Sequence, residues 1–220
     1  KTMQGNFSVF NNNVITVTNG FDEEFDDTLA ELDPKFTMTH IGLMNADRNP
    51  KILWEVLSEI VSENKEFETD FELKLIGKSD ASVIADISKF QLSKNVQIID
   101  YVPHNKVVVF QQKSQVLLLI VNNVPSAKGI ITGKIFEYLM AKRPILAIAP
   151  IDGDLADIIK ETNSGVVVDF QDKSTLKMAI LDLYVTFKQG SLNVEPKNVA
   201  QFHRRELSKK VSELIYKIIE

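Results

Sequence analysis

The chain contains no cysteine, which excludes disulfides and thiolate-bound metals. It has no long apolar run either. The longest, 116–121, falls far short of the ~20 residues needed to span a bilayer. There is no excess of positive charge: 25 lysines and arginines stand against 30 aspartates and glutamates, a net charge of −5. That balance disfavours a nucleic-acid surface, which presents a basic field. The two commonest glycine-rich phosphate loops are missing as well. Neither G-x-x-x-x-G-K-S/T nor a G-x-G-x-x-G after the first expected strand occurs, so a P-loop and an ordinary NAD site are set aside. No spacing points to a Ser-His-Asp arrangement or to a cluster of metal ligands. The acidic stretch Asp22, Glu23, Glu24, Asp26 and Asp27 lacks the glycine turn and ligand spacing of a calcium loop, and reads as a solvated loop. No signal-peptide pattern is present, and a first residue other than methionine leads us to expect a preceding segment.

What is present is an ordinary globular composition, 44% hydrophobic and 25% charged over 220 residues, enough for one sizeable domain or two small ones. From Phe36 onward short apolar runs alternate with amphipathic stretches, the pattern of a parallel sheet with crossover helices. Strands are expected at 36–41, 71–76, 96–99, 116–121, 145–149 and 166–168, and helices at 50–61, 79–89, 104–112, 133–141, 154–162, 173–187 and 205–219. Ser79 or Asp80 is the expected cap of the second helix, and Asn163 with Gly165 the end of the fifth. The predicted fold class is α/β: a doubly wound, Rossmann-like parallel sheet of six strands in the order 3-2-1-4-5-6. Residues 36–220 form this domain. Residues 1–35 read as a linker with a residual strand (6–17) arriving from another domain.

In such a sheet ligands bind beyond the carboxyl ends of the strands where the order reverses. That rule nominates the loop 42–50 after the first strand and the loop 122–134 after the fourth. The second loop holds Gly129, Thr132, Gly133 and Lys134 ahead of a helix. Its glycines allow close backbone approach, helix amides favour an anion, and Lys134 adds a full charge. Arg48 in the first loop offers a planar fork for phosphate. The alternatives are that Gly133 merely starts a helix and that Arg48 points to solvent. His40 reads as core or interdomain surface, His203 as solvent-facing, and Trp54 as a packing residue.

Residues 133–147, running Gly133-Lys134-Ile135-Phe136-Glu137-Tyr138 through Arg143-Pro144-Ile145, resemble the signature helix and strand of the retaining glycosyltransferases of family 4. Asp152-Gly153-Asp154, Glu161-Thr162-Asn163-Ser164-Gly165, Ile41-Gly42, Arg48-Asn49-Pro50 and Thr18-Asn19-Gly20-Phe21-Asp22 extend the likeness. The resemblance implies a GT-B fold of two facing Rossmann-like domains, of which this chain is the C-terminal, nucleotide-sugar-binding half. It further implies Glu137 on the ribose hydroxyls, where the other reading is a surface glutamate favoured by the helix dipole. A second family glutamate, which contacts the donor sugar, is replaced here by Gly129, so backbone amides of 129–132 take that place. Val102 and His104, in the loop end after the third strand, fall where the base is read; His104 is alternatively only a helix-start residue.

On this reading Arg48, Lys134 and the helix amides stabilise a departing diphosphate, and no metal or other cofactor is required. The donor is a nucleotide diphosphate-sugar, with a UDP-sugar favoured because 102–105 contains no carboxylate to meet guanine. The expected partners are that donor, a glycan or lipid-linked acceptor, and a missing N-terminal domain through which peripheral membrane contact would run. Surface-polysaccharide synthesis in the cytoplasm, at the inner face of the membrane, is the implied setting. Two rival readings stay open: a sugar-nucleotide epimerase of GT-B fold, and a non-catalytic flavodoxin-like nucleotide-binding module.

Overall fold

The computed structural model describes residues 15–22 and 30–219. The acidic run 23–29 and most of the expected strand 6–17 lie outside them, and the described part of that strand, 15–17, carries no strand structure.

The sheet has the order β3-β2-β1-β4-β5-β6, every pairing parallel. Its strands are β1 (Phe36–Ile41), β2 (Phe71–Ile76), β3 (Val96–Ile99), β4 (Val116–Ile120), β5 (Ile145–Ile148) and β6 (Gly165–Val168). The helices are α1 (Lys51–Glu63), α2 (Lys65–Asp70), α3 (Ala81–Lys89), α4 (His104–Lys113), α5 (Lys134–Met140), α6 (Asp154–Thr162), α7 (Lys173–Lys188) and α8 (Arg204–Ile219). Asp80 caps α3 by accepting from Ser82 N at 2.9 Å, and Asn163 ends α6 in the left-handed conformation. α2 has no counterpart in the periodicity. Only Phe67 of its six residues is buried, and it begins because Asn64 Oδ1 accepts from both Glu66 N and Phe67 N at 3.0 Å.

Strand β4 shows how the two layers form. Leu118 and Ile120 enter a core with Phe36, Met38, Trp54, Leu57, Leu176 and Tyr184, under α1 and α7. Leu117 and Leu119 enter a second core with Ile135, Phe136, Leu139, Leu155 and Ile159, under α5 and α6. A period of two thus feeds both faces, which is why the strand reads as a continuous apolar run. Trp54 is fully buried and donates to Asn49 Oδ1 at 2.7 Å, a packing residue as expected. His40 is core, 1% exposed.

The segment ahead of the domain is docked on it. Phe21 forms a parallel bridge with His203, Phe21 N donates to Phe202 O at 3.1 Å, and Arg204 N donates back to Phe21 O at 2.9 Å. A side chain at Gly20 would collide with Phe202 O. His203 is therefore not solvent-facing as expected. It is half-buried, packs edge-on against Phe21 at 5.4 Å, and accepts from Arg205 N at the start of α8.

Candidate functional site

The two nominated loops meet at the carboxyl ends of β1 and β4. Asn123 N donates to Asp47 O at 3.4 Å, and Arg48 Nε donates to Asn122 Oδ1 at 2.9 Å. A further bond from Arg48 Nη1 to Leu43 O at 2.9 Å fixes the guanidinium within its own loop. Arg48 is half-buried rather than pointing freely to solvent. Asn49 staples the same loop in place, accepting from Trp54 and donating to Asp86 Oδ2 at 2.7 Å.

At the end of β1 the chain turns at Gly42, whose φ is +111°, a conformation that side chains resist. Lys134 lies directly over it: a Cβ at Gly42 would stand 2.6 Å from Lys134 Nζ. Burial and the Arg48 charge push the Lys134 ammonium down to about 8, against the opposing pull of Glu137. Beneath lies His40, pushed down to about 3 by burial and then by the Lys134 and Arg48 charges. It stays neutral, with Nδ1 placed 3.2 Å from Leu118 O. Lys134 and Arg48 thus share a partly desolvated place in which the Arg48 charge disfavours that of the lysine. Such a place favours an anion.

The start of α5 behaves differently from the expectation of free amides. Thr132, the residue before the N-cap Gly133, turns back onto the start of the helix: Oγ1 accepts from Lys134 N at 3.2 Å and its carbonyl accepts from Ile135 N at 3.1 Å. Phe136 N is taken by Gly133 O at 3.2 Å. The anion-attracting groups are therefore the two side-chain cations more than these amides. Gly129 closes the short 3-10 turn Ala127–Gly129, and a Cβ there would meet no atom within 4 Å, so open space faces it.

Glu137 sits one turn beyond Lys134, at a cleft of about 280 Å³. Two helix faces line the cleft. Gly133, Phe136, Glu137 and Met140 come from α5 and its start; His104, Val108 and Gln111 come from α4, both sets at the three-four spacing of one helical stripe. Asn19 through Asp22 and Arg204 form its remaining wall, where Arg204 pairs with Asp22. Gln111 Nε2 donates to Glu137 Oε2 at 3.0 Å. Of the expected site residues, Glu137, Gly133 and His104 line this cleft, while Gly42, Arg48 and Lys134 gather at the adjoining strand ends. Val102, half-buried in the loop before α4, is not in its lining.

Sequence reasoning missed Gln111, Asn122 and Arg204. Gln111 carried one legible signal, a polar residue three positions from Val108 on the stripe of α4 that lines the cleft. Asn122 and Arg204 reach the site through tertiary contacts alone. Among the described residues no group of three or more His, Cys, Asp or Glu could hold a metal ion, and no helix is long and apolar enough to cross a membrane.

The profile of the family described as Glycosyl transferases group 1 matches residues 35–185. Solved structures share the fold. The pneumococcal O-GlcNAc transferase GtfA, in complex with UDP and GlcNAc, is similar with a TM-score of 0.68 at 13% identity, over 100% of this chain and 43% of that one. The apo lipopolysaccharide outer core galactosyltransferase WaaB gives 0.67 at 14% identity, over 92% of this chain and 55% of its own. Sucrose-phosphate synthase from Thermosynechococcus elongatus gives 0.64 at 16% identity, over 92% and 52%. This chain thus spans between 43% and 55% of the length of these structures. No curated protein matches the sequence significantly.

Proposed function

Because the chain belongs to the glycosyl transferases of group 1, we propose that it is the donor-binding half of an enzyme that moves a sugar from a nucleotide diphosphate-sugar to an acceptor hydroxyl. The observation that carries this reading is the gathering of two cations and a carboxylate at the switch point of the sheet. Lys134 stands over Gly42 beside Arg48, and Glu137 fronts the cleft one helical turn away. Diphosphate leaves with increasing negative charge, and preorganised cations at that point lower the barrier. A carboxylate accepts from both hydroxyls of a ribose, so Glu137 fixes the nucleoside and thereby the reacting carbon. His104, in the wall of the cleft, reads the base, and the open space beside Gly129 receives the sugar.

The base is uracil on this reading. Guanine presents donors at N1 and N2 that call for a carboxylate, and the loop 102–105 has none. The UDP held by the pneumococcal structural relative fits that choice. Residues 1–35 act as the connection to a second Rossmann-like domain, which supplies the acceptor site and closes the cleft. The acceptor is a glycan or a lipid-linked sugar of surface-polysaccharide synthesis, met at the cytoplasmic face of the membrane.

A thermal-shift panel tests the reading. UDP and UDP-sugars should raise the melting temperature in proportion to their saturation, by the mass-action stabilisation of the bound state. NAD and inorganic phosphate should not. A shift with NAD and none with any nucleoside diphosphate would overturn it.

A further inference from the structure

Gln111 carries a feature that packing does not explain. Its side chain is 1% exposed and borders the cleft beside Glu137. Nε2 donates to Glu137 Oε2 at 3.0 Å. An ionised carboxylate only accepts, so the amide cannot be turned round. Its Oε1 is consequently left buried with no donor. An unpaired buried acceptor is destabilising, and an apolar side chain of equal length would fill the same space without that penalty. A residue that breaks a local rule in this way commonly serves a site at the expense of stability.

What the unfavourable arrangement secures is the direction of one carboxylate. Glu137 is half-buried at the cleft, on the short helix α5, with Gln111 on the facing helix α4. With Oε2 tethered to α4, the carboxylate has fewer orientations open to it and Oε1 keeps its lone pairs for the cleft. Untethered, a glutamate side chain samples several rotamers and meets a pair of neighbouring hydroxyls only part of the time.

We propose that Gln111 is a positioning residue that aims Glu137 at a vicinal diol, and so makes the cleft select ribonucleoside over deoxyribonucleoside diphosphates. The inference rests on the reading of Glu137 as the ribose ligand. It adds a specificity determinant on a separate helix.

The test compares UDP with 2′-deoxyuridine diphosphate by calorimetry on the chain as it stands, alongside melting temperatures without ligand. The unsubstituted chain should prefer UDP by roughly tenfold or more, the worth of one hydroxyl bonded to a charged acceptor. Gln111→Met should shrink that preference by about threefold or more. It should leave affinity for the deoxynucleotide nearly unchanged, with a melting temperature equal to or above that of the parent. Gln111→Asn, which withdraws the amide by one methylene, should lose the preference in the same way even if methionine packs poorly. A preference that survives both substitutions overturns the proposal. So does an equal loss for both nucleotides with a lowered melting temperature, the signature of a packing role. Glu137→Ala separates the two levels. If it leaves the preference of the unsubstituted chain intact, the assignment of Glu137 fails, and this inference with it. If it abolishes the preference while Gln111→Met does not touch it, only the role of Gln111 fails.

Discussion

Lys134 ties the chemistry of the site to pH. In the unliganded chain its ammonium is pushed from 10.5 down to about 8, by burial first and by Arg48 second. A diphosphate bound where we propose would place negative charge beside it and restore the charged form. Binding must then take up a proton wherever the free lysine is partly neutral. With a free value of about 8, the charged fraction is roughly nine tenths at pH 7, half at pH 8 and one tenth at pH 9. Affinity for UDP should therefore fall about tenfold from pH 7 to pH 9, as the pH rises through the free value but stays below the bound one. At pH 8 the uptake is about half a proton, which calorimetry reads as a binding heat that varies with the ionisation enthalpy of the buffer. Lys134→Met should bind more weakly and lose this pH dependence, because the titrating group is gone. Stability of the unliganded chain moves the other way. Between about 8 and 10.5 the unfolded state holds more protons, so stability gains as pH rises through that window. Parallel affinity-pH curves for the parent and Lys134→Met would refute the placement of this lysine against the diphosphate.

Three other outcomes follow from the same geometry. Gly42→Ala forces a side chain into a φ of +111° and against Lys134; it should lower stability by ~1–3 kcal/mol and weaken UDP binding together, seen in denaturant titration and calorimetry. Arg143 is 7% exposed and donates to the carbonyls of Ser114, Gln115 and Leu192, so Arg143→Leu should cost about 3 kcal/mol in chemical denaturation by leaving buried acceptors unpaired. The chain by itself should release no glycosylated product from a UDP-sugar and an acceptor, because it spans only about half the length of its structural relatives; sustained turnover in a product assay would show that no second domain is needed.

The strands were the most legible elements. Strands buried on both faces, such as β4 with its run of valine, leucine and isoleucine, announce themselves by continuity. β3 is an edge strand whose Ile98 is exposed, and it was still found because its neighbours fixed the alternation of strand and helix. The short helix α2 was not, since a six-residue segment with one buried side chain has no period to detect. The left-handed turn at Asn163 was readable from residue type, whereas the role of His203 was not, because its partner Phe21 lies at the opposite end of the chain. The site divides in the same way. Arg48, Lys134 and Glu137 stand in loops and a helix that the strand order and the resemblance both nominated. The capture of Glu137 by Gln111, the holding of Arg48 by Asn122, and the wall formed by Arg204 all depend on contacts between distant segments. The use of the first helix amides by Thr132 was hidden too: a threonine before a helix reads equally as a cap or as an anion ligand.

The central claim is that a nucleoside diphosphate occupies the cleft with its ribose on Glu137. Calorimetric titration of UDP into the parent chain and into Glu137→Ala tests it most directly. The parent should bind one equivalent, and the substitution should weaken binding by ~1–3 kcal/mol, the worth of a hydrogen bond to a charged group, with a modest drop in melting temperature because the buried Gln111 amide loses its acceptor. Equal affinity in the two proteins, or tight binding of GDP with none of UDP, would contradict the account.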